Sequence, residues 1–373
     1  MAILYLTEQQ AWVAKEGECL VVQIPERDAA GAPTKKVRKM TVPLLKIEEV
    51  LVLGEITLST PALAALLEAR VAITYLDRHG RYLGSLRPEL SKNSLLRLAQ
   101  HAAHAHPERR LALARQCVLG KLRNMRTVLM RYHRQAPDPL VAAAAESLKR
   151  CIGAAGDAQL RLVDVAIEES EVTRDPELEP GEIAGGRMHG LGPLLGCEGA
   201  GSAAYFGVFA RLIKASWPHG FEKRVRRPPT DPVNALLSYG YTILGAQVAG
   251  AVAAAGLDPY VGYLHSSRYG KPALALDLLE EFRPIIVDAV VLGLLNNRQL
   301  GAADFERELN SYRMCDAARR LFLQKFEERM QEGVTHPVFN YQVSYRRCIE
   351  LQARLLGKYL LGEIPAYEPF LVR

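Results

Sequence analysis

Tyr263-Leu264-His265 and, after a polar loop, Asp277-Leu278-Leu279-Glu280-Glu281-Phe282-Arg283-Pro284 form the stretch around which this chain is organised. Gly256-Leu257-Asp258-Pro259-Tyr260 reads as a turn that delivers the imidazole just before the loop Ser266 to Lys271. The chain returns through Ala273-Leu274-Ala275-Leu276 into a segment where Asp277 and Glu280 stand three residues apart, which on a helix puts both carboxylates on one face. An imidazole brought back beside two acids is a site for a divalent metal, and Arg283 can balance charge there or hold a phosphate. Glu280-Glu281 is a like-charge pair inside the apolar stretch Leu274 to Leu295, and its burial is costly unless a cation or partner compensates. This set still lacks one ligand.

Upstream, Leu194-Leu195-Gly196-Cys197-Glu198-Gly199-Ala200-Gly201-Ser202 places a single acid among small residues that allow close approach of another chain or a DNA backbone. Glu198 supplies the missing third ligand; its bland reading is an exposed acid at a helix start, favoured by the macrodipole. Asp231 is placed to N-cap a helix that has Pro232 at its first position. Asn234, Ser238 and Tyr241 then recur at helical spacing, to line a site or to join helices by hydrogen bonds.

Basic residues are clustered. Arg109, Arg110, Arg115, Lys121, Arg123, Arg126, Arg131 and Arg134 fall in one helical stretch with only Glu108 as an acidic neighbour, a cationic stripe that is either a solvated face or a phosphate contact. Lys223-Arg224-Val225-Arg226-Arg227 ends at Pro228-Pro229 and reads as an exposed loop before a helix. Two such patches point to nucleic acid. By contrast, 163–186 is acidic, with Pro and Gly and little periodicity, and reads as a connector. His101, His104 and His106 have irregular spacing and read as solvated histidines near a linker or helix end.

The fold expected is α+β. Residues 3 to about 88 carry short apolar runs separated by turn residues, with one helix inserted after Thr60 as N-cap and Pro61 at its first position: a small, mainly β domain over 1–88. A linker over 89–97 leads to an all-α catalytic domain over 98–373. With 373 residues, 49% hydrophobic and 24% charged, the chain can bury a substantial core. Lys and Arg exceed Asp and Glu by 47 to 41, and six Cys form no CxxC pair. Neither a zinc knuckle nor a disulfide scaffold is suggested, and the cysteines read as buried thiols in a reducing cytosol. The N-terminus carries no leader pattern, and no uncharged run is read as reaching the ~18 residues that span a bilayer. A cytoplasmic protein without membrane contact is expected.

Taken together, four motifs resemble the first CRISPR-associated protein family, the adaptation integrase and endonuclease, in order and spacing. They are Gly196-Cys197-Glu198-Gly199 with Ala203, Tyr205 and Phe206; Arg227-Pro228-Pro229 through Asn234 to Gly240; Gly262-Tyr263-Leu264-His265; and Leu276 to Pro284. Agreement extends back through Lys121-Leu122-Arg123-Asn124 and forward to Gln352-Ala353-Arg354-Leu355. The resemblance implies a β-sheet N-terminal domain, a helical catalytic domain, a homodimer, and assembly with a small CRISPR-associated partner dimer. It also implies metal-dependent insertion of short DNA fragments at a CRISPR repeat. By motif position Glu198, His265 and Glu280 would be metal ligands with Asp277 beside them as a further catalytic residue; some relatives carry Asp where this chain has Glu280. Lys121, Arg123, Lys223, Arg224, Arg226, Arg227, Asn234, Ser238, Tyr241 and Arg283 are the expected DNA contacts. Two departures are a longer acidic stretch before Leu194 and Cys197 at a commonly aliphatic position.

A Glu/His/Glu set suits Mn²⁺ or Mg²⁺, because carboxylates favour hard cations and one imidazole tilts the site toward Mn²⁺. With a 3′-hydroxyl as nucleophile, phosphodiester energy is exchanged and no nucleotide cofactor is required. With water the same residues would make a structure-selective nuclease acting on branched or single-stranded DNA. A non-catalytic DNA-binding scaffold would keep the basic patches and need no acid–histidine set. His265 can be a ligand or a general base, and the sequence leaves both open.

Overall fold

The computed structural model describes residues 2–27, 33–78, 80–89, 93–158, 161–162, 189–214, 220–225, 228–265, 269–309 and 311–372. The acidic segment 163–186, the loop residues Ser266 to Arg268, and Arg226 and Arg227 lie outside these ranges.

The N-terminal part comprises β1 (Ala2–Leu6), β2 (Trp12–Glu16), β3 (Cys19–Arg27), β4 (Pro33–Pro43), β5 (Ile47–Leu53), β6 (Thr57–Leu58), α1 (Thr60–Glu68), β7 (Ala72–Leu76) and β8 (Tyr82–Leu86). They build two four-stranded sheets, ordered β1-β5-β7-β8 and β4-β3-β2-β6. In the first, β5 lies parallel to both β1 and β7, and β8 pairs antiparallel with β7. Helix α1 starts one residue earlier than Thr60 suggests, because the Ser59 hydroxyl accepts the Ala62 N–H and leaves Thr60 as the first helical residue.

Period-two alternation decides what each strand face buries. Val50 and Val52 of β5 join Leu6, Val13, Leu20 and Leu66 in the core between the two sheets and α1. Leu51 and Leu53, on the opposite face, pack with Ile3 and Leu76 into the core of the helical part. The β unit is therefore fused to the helices through one face of a sheet. Polar groups reinforce that joint: Tyr5 donates to Glu327 at 3.1 Å, and Arg346 grips the same carboxylate at 2.7 and 3.0 Å.

Glu49 stands on that sheet face, half-buried overall, and accepts from the Thr74 hydroxyl at 3.0 Å. Burial pushes its carboxyl from 4.5 to about 7, against the Thr74 hydrogen bond and the charges of Arg87 and Arg346. Between those values the folded chain holds a proton that the unfolded chain has released, so this group's stability contribution falls as pH rises from 4.5 to 7 and is flat above. Glu49→Gln keeps the Thr74 contact and removes the charge. Its thermal midpoint should equal the parent's at about pH 4 and exceed it by several degrees at about pH 8. Calorimetry at both values checks this, and a pH-independent difference would refute it.

The helical part contains α2 (Ser94–Ala105), α3 (Pro107–Gln135) and α4 (Pro139–Gly156), then a two-residue pairing of β9 (Arg161–Leu162) with β10 (His189–Gly190). It continues with α5 (Gly192–Gly207), α6 (Pro232–Ala254), α7 (Ala273–Phe282), a π-helical turn over Pro284–Asp288, and α8 (Ala289–Asn296). A hairpin of β11 (Phe305–Glu308) and β12 (Ser311–Met314), α9 (Asp316–Gln331), a hairpin of β13 (Gly333–Thr335) and β14 (Gln342–Ser344), and α10 (Tyr345–Leu360) complete it. The two hairpins correct the expectation of an all-α region after residue 98, and α2 opens at Ser94, inside the stretch read as linker. Asp231 caps α6 through the Asn234 N–H, as its sequence position requires.

A second correction concerns α6. It is an uncharged run of 23 residues whose most apolar window has mean hydropathy 1.3, long and apolar enough by length and composition to cross a membrane. Its apolarity is that of a core helix, since 61% of its most apolar window is buried among its neighbours. The cysteines also differ from expectation: all six are free, but only Cys117 and Cys348 are buried.

Candidate active site

Three helices and one loop meet at the site. Helix α3 brings Lys121, α5 brings Glu198, α7 brings Asp277 and Glu280, and the segment between α6 and α7 brings His265. Gly262 is necessary there: a Cβ at this position would lie 2.6 Å from the Ala273 carbonyl carbon and 2.8 Å from Asp277 Oδ2. Only glycine lets the loop come down on α7.

That close approach explains Asp277. Its carboxylate is fully buried and accepts three backbone N–H groups, from Tyr263 at 2.5 Å, Leu264 at 3.0 Å and His265 at 2.9 Å. Its Oδ1 also lies 2.8 Å from His265 Nδ1. The acceptor capacity of Asp277 is thereby filled, so it orients His265 rather than facing a substrate or an ion. Because Oδ1 is an acceptor, it places the ring proton on Nδ1 and leaves the lone pair on Nε2, on the side of Glu280. His265 Nε2 is 3.9 Å from Glu280 Oε1.

Lys121 lies at the centre of the remaining groups. Its side chain is 3% exposed, and its ammonium contacts Glu198 Oε1 and stands 2.8 Å from Glu280 Oε2. Ser202, one turn after Glu198, donates to Glu198 Oε1 at 2.9 Å. Arg283 approaches Glu280 Oε1 at 3.1 Å. Burial would raise the Glu280 carboxyl, but Arg283, Lys121 and His265 outweigh it and pull it down to about 2. Glu280 Oε2 is buried against the Lys121 ammonium.

A tyrosine and an aspartate support Arg283. The Arg283 guanidinium lies 4.9 Å from the Tyr241 ring centroid, and that of Arg224 lies 5.4 Å from it. The Tyr241 hydroxyl donates to Asp288 Oδ1 at 2.5 Å, and Tyr205 donates to Oδ2 at 2.9 Å. Asp288, carried on the π-helical turn, is pushed up to about 6 by burial against these two hydrogen bonds. Its place eight residues beyond Glu280 gave no local pattern to flag it.

The like-charge pair Glu280-Glu281 is resolved by geometry, since the two side chains serve different partners. Glu281 accepts from the Tyr367 hydroxyl at 2.7 Å, the Phe370 N–H at 2.8 Å and Gln352 at 3.1 Å, latching the C-terminal tail onto α7. Burial raises its carboxyl to about 7 against those hydrogen bonds.

Several expected DNA contacts have other partners. Lys121 is enclosed by the acids, so it presents no outer face. Asn234 is fully buried and clamps the basic loop to α6, donating to Lys223 O and accepting from Arg224 and the Val225 N–H. Arg224 also reaches Ser238 at 3.0 Å. The basic run on α3 is not one stripe either: Arg109, Arg110 and Arg115 donate to the carbonyls of Leu360, Tyr263 and Ala158. Arg123 and Lys223 are exposed. Arg283, Tyr241 and Ser238 line a groove of about 1520 Å³ that passes Arg81 and Arg87 of the β unit and Arg319 of α9. Among the described residues, the groove touches the acid–histidine cluster through Arg283 and its α7 neighbours.

As they stand, no three His, Cys, Asp or Glu side chains among the described residues converge closely enough to hold an ion. The donor set nevertheless fits one. Two carboxylates from α5 and α7 share one cation, the Lys121 ammonium, and His265 Nε2 lies 3.9 Å from the other oxygen of Glu280. Two hard donors and one imidazole are ligands of Mn²⁺ or Mg²⁺ type.

An α+β protein with two carboxylates sharing one cation and an imidazole beside one of them, next to an arginine-lined groove, is the class these features define. The family model described as "CRISPR associated protein Cas1" matches residues 4–328. The chain is 37% identical over 373 residues to the CRISPR-associated endonuclease Cas1 3 of Thermus thermophilus, covering 100% of this chain and 98% of that protein. It is 38% identical to the CRISPR-associated exonuclease Cas4/endonuclease Cas1 fusion of Geobacter sulfurreducens, over 99% of this chain, and spans 60% of that protein's length. Among solved structures, a casposase bound to integration product shares the fold at a TM-score of 0.77 and 22% identity, over 99% of this chain and 93% of the other. So does a chain of a Cas6-RT-Cas1–Cas2 complex, at 0.72 and 24%, over 100% of this chain and 36% of the other. The chain belongs to the Cas1 family.

Proposed function

We propose that this protein is a metal-dependent DNA integrase and endonuclease of CRISPR adaptation, which inserts short DNA fragments into the CRISPR array. The observation that carries this reading is that Glu198 and Glu280 share the buried Lys121 ammonium while His265 Nε2 stands 3.9 Å from Glu280 Oε1. Family membership and the endonuclease relatives support it. The casposase bound to integration product supports strand transfer as the reaction.

In the joining step a 3′-oxygen of the incoming fragment bonds to phosphorus at the repeat, and the bond from phosphorus to the departing 3′-oxygen breaks. One phosphodiester replaces another, so no energy source is needed. Glu198, His265 Nε2 and Glu280 would hold the Mn²⁺ or Mg²⁺ ion. Such an ion, when bound, supplies charge stabilisation at the reacting phosphate. Asp277 keeps the proton on His265 Nδ1 and so keeps Nε2 available. Arg283, braced on Tyr241, stands between Glu280 and the groove, where it can take a phosphate oxygen by charge-assisted hydrogen bonding. The arginine-lined groove offers a path for a DNA strand leading to that point.

Two assembly contacts are part of the proposal. Strand β8 is the edge of its sheet and exposes Tyr82, Leu83 and Leu86, a surface suited to a second copy of this chain. The Cas6-RT-Cas1–Cas2 complex supports a small Cas2-type partner.

The test is a strand-transfer assay with a labelled fragment bearing 3′-hydroxyl ends, a supercoiled plasmid carrying the repeat, and the cognate small partner. It is run with Mn²⁺ and with EDTA, beside Glu198→Gln. Covalent joining that needs Mn²⁺ and is lost in the variant is the expected result. Cutting without joining would favour the structure-selective nuclease, and DNA binding with neither would favour the scaffold.

A further inference from the structure

We propose that Lys121 is a resident cation of the metal seat, which a divalent ion must displace, so that it weakens metal binding while holding the empty site in shape. The proposal rests on reading Glu198, His265 and Glu280 as the ligands.

The argument starts from charge. Glu198 and Glu280 approach each other from α5 and α7, and Glu280 is 3% exposed. Glu198 is 23% exposed, and two carboxylates brought together with at least one out of water repel unless a cation lies between them. Lys121 does, with its own side chain 3% exposed, contacting Glu198 Oε1 and lying 2.8 Å from Glu280 Oε2. Arg283 adds a second cation on Glu280 Oε1. The two acids are therefore already neutralised by two basic groups of the same chain. A divalent ion placed among them without any rearrangement would leave the cluster with two surplus positive charges in a largely buried setting.

Position makes the same point. The ammonium occupies one oxygen of each proposed carboxylate ligand, Glu198 Oε1 and Glu280 Oε2. The ammonium meets Glu280 Oε2 as an ion pair at 2.8 Å. An ammonium on a flexible four-carbon stem can withdraw from such a contact; a planar guanidinium held by paired hydrogen bonds would be harder to move. Arg283, by contrast, is fixed from behind by the Tyr241 ring at 4.9 Å and keeps to the other oxygen of Glu280. Lysine and metal thus compete for one seat, while the arginine stays beside it.

A purely structural lysine predicts the opposite response. If Lys121 only held the carboxylates in position for the ion, removing it would weaken metal binding; if it competes, removal strengthens binding and makes the metal-free protein less stable.

The experiment titrates full-length wild type, Lys121→Met, Lys121→Gln and Glu280→Gln with Mn²⁺, following the free ion by electron paramagnetic resonance, with thermal melts in parallel. Wild type is expected to bind Mn²⁺ and Glu280→Gln to lose that binding. Both Lys121 variants should bind at least about tenfold tighter than wild type, melt lower in metal-free buffer, and regain stability with Mn²⁺. Equal or weaker Mn²⁺ affinity in Lys121→Gln, with a wild-type circular dichroism spectrum, would overturn the competition. Lys121→Gln retains a polar head and covers the case in which Lys121→Met does not fold. No Mn²⁺ binding by wild type, or binding indifferent to Glu280→Gln, would overturn the ligand assignment itself and this inference with it.

Discussion

Glu280→Gln is expected to lower the rate of DNA joining by at least about a thousandfold while changing DNA affinity by less than about threefold. Three groups converge on this carboxylate: Lys121 at 2.8 Å, Arg283 at 3.1 Å and His265 Nε2 at 3.9 Å. Glutamine preserves the volume, so packing around α7 survives. What it removes is a charge that sets the local balance and a donor that the proposed ion requires. The arginines of the groove are untouched, which is why binding of the duplex should persist.

The same substitution carries a stability consequence with a defined sign. Glu280 is held down to about 2 from 4.5, so its ion pairs contribute stability above pH 4.5 and lose it as pH falls toward 2. At neutral pH the variant forgoes that contribution and leaves Lys121 and Arg283 with less compensation, a cost of roughly 2–4 kcal/mol. At low pH the gap between variant and parent should narrow. Joining rates, anisotropy with labelled duplex, and denaturant melts at two pH values check the three parts. A joining rate within tenfold of the parent would remove Glu280 from the reaction.

The residues that were readable from the sequence share a property: their chemistry is carried by residue type and local spacing. His265 and Glu280 stand in a short stretch of imidazole and acids within an apolar run, and Glu198 is a single acid among small residues, although a helix-start reading was open to it. Alternation along β5 and the cap at Asp231 are equally local. What escaped depends on contacts distant in sequence. Lys121 looked like one member of a basic stripe, and only the arrival of α5 and α7 turns it into the counter-ion of two acids. Asp277 passed for a third active carboxylate, because its real partners are backbone N–H groups of a loop that Gly262 allows to approach. Glu281 was paired in the sequence with Glu280, yet its partners Tyr367 and Phe370 lie 86 and 89 residues on. The hairpins β11–β12 and β13–β14 were missed for a different reason. Strands of three or four residues, such as Phe305-Glu306-Arg307-Glu308, are too short to display a period, and their charges resemble those of the flanking helices.

Asp277→Asn is expected to damage both the fold and the reaction, because one carboxylate serves two functions that an amide cannot serve together. Oδ2 accepts the N–H groups of Tyr263 and Leu264, and Oδ1 accepts that of His265 and faces the ring Nδ1. An amide has one oxygen and one NH₂, so one of these two donor pairs must meet another donor in a fully buried setting. The cost is roughly 2–5 kcal/mol. If the oxygen stays with Tyr263 and Leu264, the NH₂ faces Nδ1, which can accept from it only by giving up its proton to Nε2. The lone pair is then lost from the side of Glu280, and joining should fall by about 10²–10⁴-fold even in protein that is fully folded. Nitrogen-15 NMR of the histidines separates this from simple destabilisation: the His265 proton should sit on Nδ1 in the parent and on Nε2 in the variant. A parent already protonated on Nε2, or a folded variant that joins DNA within tenfold of the parent rate, would mean that Asp277 serves the loop alone. The expected result would instead make the loop's descent onto α7 and the state of the imidazole one structural event, with Gly262 as its precondition.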